Sequence, residues 1–284
     1  MRIIIGSAQF GMSYGIANTS GQVKKTELIS ILDYASKMGL DTIDTAIAYG
    51  ESEKSLGEAG VNRWNIITKL PEIPNDCLEV SSWVINHVHN SLNRLGVKTL
   101  SGLLLHRPNQ ILDQKNSDLW PTLLKLKSEG VVEKIGFSIY SPNELNNLWG
   151  KYKPDLVQCP YSVLDQSLNS SGWLERMNSE GVEIHVRSIF LQGLLLMNKN
   201  NRPEKFNKWN ELWDTWDTWL KDKNVSALHA AVSFALSDTR ISKIVIGIDS
   251  LIQLEEILSV AAYPLKNFPV NLSSLDKELI NPSY

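Results

Sequence analysis

Eight times along this chain a short apolar run gives way to a longer stretch with helical spacing of its apolar residues. The runs are Ile3–Gly6, Thr42–Asp44, Asn65–Lys69, Gly102–His106, Lys134–Ser138, Leu156–Gln158, Ile184–Ser188 and Lys243–Gly247. Each is short and rich in Ile, Val or Leu, as a parallel strand covered on both faces must be. Between the runs, Leu28, Ile31, Leu32, Ala35 and Met38 share one helical face that Gly39 closes. Ile85, Val88, Leu92 and Leu95 repeat the pattern before Gly96. Leu119 to Lys127 ends near Gly130, and Trp173 to Glu180 ends at Gly181. Ser141-Pro142-Asn143-Glu144 reads as a capping box with proline at the first helical position. A helix near Glu53–Ala59, then Val225–Leu236 and Leu251–Leu258, complete the set.

Such alternation suits either a closed barrel or an open doubly wound sheet. An open sheet usually carries a glycine-rich phosphate loop after its first strand. Here that place holds Gly6-Ser7-Ala8-Gln9-Phe10-Gly11, without the required glycine spacing. A barrel of eight units needs ~250 residues, and the chain has 284 with no Pro/Gly/Ser-rich linker. The expected fold is therefore α/β, a (β/α)8 TIM barrel spanning residues 1–284 as a single domain. One interruption, at about 197–224, follows the seventh strand. Its Trp209, Leu212, Trp213, Trp216, Trp219 and Leu220 fit one helical face. It reads as an extra helix pinned by aromatics or, less simply, as a lid over the site.

Composition narrows the function. A formal net charge of −3, with no long basic run, gives no attraction for nucleic acid or an anionic membrane. No apolar stretch approaches the ~20 residues of a membrane span. The apolar start Ile3–Gly6 is too short for a signal peptide. Cys77 and Cys159 have no metal-ligand spacing and fit a reducing compartment, so a cytoplasmic location is expected. His87 and His89, two apart on a helix, point away from each other and cannot share a metal. No metal site is expected.

Active-site residues of a parallel barrel come from the C-terminal ends of its strands. Asp44, Lys69, His106, Ser138, Gln158 and Ser188 end six of the eight runs. Chance explains poorly so many polar groups on one rim. The surrounding sequence is also specific. Asp44-Thr45-Ala46-Ile47-Ala48-Tyr49-Gly50-Glu51-Ser52-Glu53, with Leu56-Gly57 after it, resembles a stretch of the aldo-keto reductases. Ile67-Thr68-Lys69, Leu103-Leu104-Leu105-His106, Lys134–Ser138, Val157–Tyr161, Ser188–Gly193 and Ile246-Gly247 resemble later strands of that family in order.

The resemblance implies reduction of an aldehyde or ketone by NADP(H) or NAD(H), with Asp44, Tyr49, Lys69 and His106 as catalytic residues. Elementary chemistry agrees. Hydride addition to a carbonyl leaves an oxygen that needs a proton, and a free phenol with a pKa near ~10 is a weak donor. An ammonium beside it would lower that value, and a carboxylate would anchor the ammonium. Tyr49 is thus expected as the acid, Lys69 as the cation, Asp44 as its anchor and His106 as the hydrogen-bond donor to the carbonyl. Taken singly, each has a plainer reading: a helix cap, a packed aromatic, a surface ion pair and a core histidine.

For the cofactor, the resemblance implies Ser138 and Gln158 at the nicotinamide carboxamide. Ser188, Phe190, Gln192 and Gly193, then Gly247, Asp249 and Gln253, would hold the diphosphate and adenosine. Ser250 and Gln253 can cap the final helix, whose N-terminus suits a phosphate. Three departures stand out. Ile139 replaces an asparagine that would add a carboxamide contact. Arg187 replaces an aromatic that stacks on the nicotinamide, and its guanidinium plane could stack there instead. Asp249 stands near where a basic or small residue meets the NADP phosphate, which predicts acceptance of NAD. The motif layout resembles that of bacterial aldo-keto reductases associated with sugar metabolism, which implies a hydroxylated, sugar-like substrate among the aldehydes and ketones. Two other functions fit the same barrel: a cofactor-binding regulatory subunit, and an epimerase-like enzyme that recycles bound nicotinamide.

Overall fold

In the computed structural model, eight parallel strands pair in chain order and close into a barrel. Residues 1–18, 21–269 and 272–282 are described. The strands are β1 (Ile3–Gly6), β2 (Thr42–Asp44), β3 (Asn65–Leu70), β4 (Gly102–Leu105), β5 (Ile135–Ser138), β6 (Leu156–Pro160), β7 (Glu183–Arg187) and β8 (Lys243–Gly247). Closure comes from β1 against β8, with Ile3 opposite Ile244 and Gly6 opposite Gly247. The expected (β/α)8 barrel is therefore what the chain forms.

The outer layer consists of α1 (Lys25–Lys37), α2 (Ser52–Ala59), α3 (Val80–Leu95), α4 (Leu119–Ser128), α5 (Glu144–Leu148), α6 (Trp173–Ser179), α8 (Ala227–Ser237) and α9 (Leu251–Ala261). The extra helix α7 (Asn210–Lys223) precedes α8. Each longer helix buries one stripe, as Leu28, Ile31, Leu32 and Ala35 do on α1. Gly96 ends α3 in the left-handed conformation, φ 66°, which a residue with a Cβ rarely adopts.

Element ends differ from expectation by a residue or two, with local causes. The helix expected from Val225 starts at Ala227, because the Ser226 hydroxyl accepts from His229 N at 3.1 Å. At α5 the acidic half of the expected capping box forms: Glu144 Oε1 accepts from Ser141 N at 2.9 Å. The Ser141 hydroxyl instead takes Asn143 N, so the helix begins at Glu144, after the proline. β4 ends at Leu105 and β7 at Arg187, leaving His106 and Ser188 as the first residues beyond their strands.

The strand repeat explains where the site lies. Ile4, Ile67, Leu104, Leu156 and Val245 form a small cluster separate from the main core between strands and helices. Side chains alternate between faces with period two. Two residues further along, on the same face, come Gly6, Lys69, His106, Gln158 and Gly247. An apolar plug therefore carries a polar rung directly above it, at the C-terminal mouth.

Within the insert, Trp213 and Trp216 are buried, donating through Nε1 to Phe206 O at 3.1 Å and Leu195 O at 3.3 Å. Arg202 lies 4.5 Å from the Trp213 ring and pairs with Asp217. These contacts pack α7 against the barrel, and Trp216 borders the cleft described next.

Candidate active site

Asp44 closes β2 and Lys69 sits one residue before the end of β3; both are buried. Lys69 Nζ donates to Asp44 Oδ1 at 2.6 Å and to Thr45 O at 2.8 Å. The other carboxylate oxygen, Oδ2, accepts from Gln158 Nε2 at 2.7 Å. A charge so deep is tolerable only when paired and hydrogen-bonded, and this one is both. Tyr49 follows in the loop after β2. Lys69 Nζ is 5.1 Å from its ring centre, and the His106 ring lies 5.9 Å away, edge to face. Four residues from three strand ends and one loop thus meet at one mouth.

A close approach of two loops sets the position of Tyr49. A Cβ on Gly11 would lie 2.0 Å from Tyr49 O, so only glycine lets the β1 loop press there. Behind the loop, the buried Ser52 hydroxyl bonds Ser7 O and meets the Ser7 and Thr45 hydroxyls. Those contacts fix the start of α2.

Electrostatics correct one expectation. Burial pushes the Tyr49 phenol above its ordinary value and Asp44 adds to the rise, while Arg187 opposes them. The fall expected of a phenol beside Lys69 is therefore not the net outcome: Asp44, 2.6 Å from Lys69 Nζ, sets its negative charge against that of the lysine. Tyr49 therefore keeps its proton across neutral pH. Burial draws Lys69 down, opposed by Asp44. Burial, with Lys69, Arg187 and Arg107, draws His106 down to about 3, so its imidazole is neutral.

The mouth opens into a cleft of about 1660 Å³. That exceeds the ~300–1,000 Å³ of an ordinary small-molecule pocket and gives room for a dinucleotide together with a substrate. Asp44, Tyr49, His106, Arg187, Ser188, Phe190, Gln192, Gly193, Gly247, Asp249 and Gln253 line it. Ser138 and Gln158 lie side by side on β5 and β6, buried, with the Ser138 hydroxyl and Gln158 Oε1 lacking any hydrogen-bond partner. Buried polar atoms are rarely left so. One hydroxyl donor and one carbonyl acceptor match the two ends of a carboxamide, so these residues fit a nicotinamide.

Past β7 the backbone is strained: Ser188, Leu191 and Gln192 have φ of 61°, 48° and 56°, and Gly193 follows at 90°. Such conformations cluster where a ligand is held. At α9, the Ser250 hydroxyl accepts from Gln253 N at 3.2 Å, and Gln253 Oε1 accepts from Asp249 N at 2.9 Å. The return bond reaches one residue further back than in a standard capping box. Burial pushes the Asp249 carboxyl up, and a side-chain hydrogen bond with Gln253 opposes it.

Arg187 lines the same cleft, its guanidinium held by neighbouring groups. Its Nη2 donates to Ile139 O at 3.0 Å, its Nη1 to the Ser188 hydroxyl at 3.2 Å, and its guanidinium lies 4.6 Å from the Tyr140 ring centre. Tyr14, Arg107 and Tyr140 also line the mouth, and sequence reasoning missed all three. Arg107 directly follows His106 and Tyr140 stands two beyond Ser138, so attention to the first residues after each strand would have found them. Among the described residues, no group of three His, Cys, Asp or Glu could hold a metal.

Comparison with known proteins gives the family. The chain belongs to the aldo/keto reductase family, a family of oxidoreductases whose model matches residues 2–271. It is 26% identical over 203 residues to the uncharacterized oxidoreductase YqkF of Bacillus subtilis, covering 67% of this chain and 65% of that protein. It is 25% identical over 269 residues to L-galactose dehydrogenase of Arabidopsis thaliana, covering 89% and 83%. Its fold matches aldo-keto reductase AKR11C1 from Bacillus halodurans with a TM-score of 0.73 at 19% identity, covering 99% and 91%. No helix among the described residues is long and apolar enough to cross a membrane.

Proposed function

We propose that this protein reduces a small aldehyde or ketone to an alcohol, reversibly, with Tyr49 as the general acid. One observation carries the reading: the Tyr49 phenol stands beside an ammonium locked by a buried carboxylate and beside a neutral imidazole. A reduced nicotinamide, when bound, would supply hydride for the carbonyl carbon. Tyr49 gives its proton to the carbonyl oxygen, which balances the charge and yields the alcohol. His106, uncharged, donates an N–H to the same oxygen and polarises the bond. Lys69 spends two of its three N–H donors on Asp44 and Thr45; the third serves the Tyr49 oxygen as charge develops there. Asp44 holds that lysine and Gln158 together.

Ser138 and Gln158 would hold the carboxamide, and Ser188, Phe190, Gln192, Gly193 and Gly247 the diphosphate. Arg187 borders both regions. Nicotinamide cofactors are typical of the family. At the adenosine end this chain presents Asp249, Gln253 and Glu256 to the cleft, and carboxylates there repel a phosphate, so any preference for NADP(H) is weak and NAD(H) is accepted. The name of the plant relative, L-galactose dehydrogenase, supports a hydroxylated, sugar-like substrate. Two free cysteines, Cys77 and Cys159, fit a cytoplasmic setting.

The test is a titration with NADH and NADPH followed by tryptophan fluorescence, then a screen of aldehydes and aldoses for loss of reduced-cofactor absorbance. Turnover, with NADPH bound no more than about tenfold tighter than NADH, is the expected result. Tight cofactor binding without turnover of any carbonyl compound would replace this reading with a cofactor-binding regulatory role.

A further inference from the structure

Two guanidiniums flank one phenol at the cleft mouth. Arg107 lies 4.3 Å and Arg187 4.6 Å from the Tyr140 ring centre. Contact with an aromatic ring occupies the face of a guanidinium and leaves its in-plane N–H donors for an anion. Among the described residues, neither arginine pairs with a carboxylate, although Arg94, Arg176, Arg202 and Arg240 each do; Arg187 gives one donor to Ile139 O and one to the Ser188 hydroxyl and keeps the rest. The nearby carboxylates that line the cleft are already engaged. Asp44 serves Lys69 and Gln158, Glu144 takes the N–H groups of Tyr140 and Ser141, and Asp165 takes Ser167.

Like charges gathered about one ring repel, and a cleft focuses their field outward. Nothing in the fold demands them there: Arg107 is exposed, and Tyr140 is 37% exposed. We propose that Arg107, Tyr140 and Arg187 form a binding site for an anionic group, carboxylate or phosphate, carried by the carbonyl substrate. The inference rests on the reductase reading for the word substrate. Its place in the chain sets the reach: Arg107 adjoins His106, and Tyr140 stands two residues past Ser138. The anionic group therefore lies a few bonds from the reacting carbonyl. This selects short aldehyde or keto acids and phosphorylated sugars over neutral carbonyl compounds. Arg187 also acts on Tyr49 and His106, lowering both, which places its charge within reach of the reacting atoms.

The test uses cofactor-saturated protein, so that the anion sites of the cofactor itself are filled. Calorimetric titration with succinate and with inorganic phosphate should show saturable binding, and uncharged succinamide should show none. Arg107→Gln should weaken anion binding about tenfold, the loss of one charge-assisted bond, and Tyr140→Leu should weaken it as well. In turnover, succinic semialdehyde should exceed its methyl ester in kcat/KM, with that ratio falling about tenfold in Arg107→Gln. The cofactor dissociation constant should stay within about twofold, showing that the variant is folded and that the arginine does not serve the cofactor phosphates. Equal anion binding by Arg107→Gln, Tyr140→Leu and the parent protein would overturn the proposal. So would an Arg107→Gln defect confined to cofactor affinity. If no carbonyl compound turns over while anion binding still depends on Arg107, the reductase reading falls and this site stands.

Discussion

Two buried carboxylates on opposite sides of the barrel wall show how one kind of ion pair serves two ends. Glu53, on α2, receives Thr68, Ser91 and the Arg94 guanidinium, so both its oxygens are engaged between the strands and α3. Asp44, at the mouth, receives Lys69 and Gln158, and beside that group lie the unpartnered Ser138 hydroxyl and Gln158 Oε1. The first arrangement is closed: its donors come from β3 and α3, and none of them lines the cleft. The second is left incomplete where the barrel opens. Position along the strands, more than burial or charge, separates a structural pair from one that can act on a ligand.

That contrast can be broken by exchanging the cations for methionine. Lys69→Met should lower kcat by about a thousandfold, since the acid loses the charge that steadies its developing phenolate. An effect below about tenfold in steady-state kinetics would remove Lys69 from the acid machinery. Arg94→Met should instead cost about 1–2 kcal/mol of stability in chemical denaturation, because Glu53 keeps Thr68 and Ser91 but loses its charged partner, with kcat per folded molecule nearly unchanged. A large loss of kcat there would erase the distinction.

The smallest effect sharpens the picture through pH. His106 has a folded value of about 3, below its unfolded value of about 6.5. As pH falls through that window the unfolded chain takes up the proton first. The stability tied to this group is thus complete above about 6.5 and is lost progressively toward 3. The kcat/KM profile should show no histidine inflection between about pH 5 and 8. An inflection near 6.5 that vanishes in His106→Asn would show an imidazole that titrates freely.

Much of the fold was legible in the sequence because each strand is an apolar run and each helix a periodic stripe. β1, β2 and β8 have the limits read from the residues alone. The remaining ends shift because a strand stops where its neighbours stop bonding, which is a property of the closed sheet. At the site, Asp44, Lys69, Ser138 and Gln158 were legible as polar residues at strand ends. Arg107 and Tyr140 were legible only as the first residues past β4 and β5, and Tyr14 was not, since a side chain far along a loop reaches the mouth only through the path its loop takes. The sign of the Tyr49 shift was equally hidden. Proximity of a lysine suggested a fall, whereas burial and the charge of Asp44 produce a rise.

The most direct trial of the account is Tyr49→Phe, assayed for cofactor affinity and carbonyl reduction in the same preparation. The phenol-to-benzene change should leave the cofactor dissociation constant within about twofold and depress kcat at least a hundredfold. Undiminished turnover in that variant would mean that the proton comes from another group, and the chemistry assigned to this barrel mouth would be wrong.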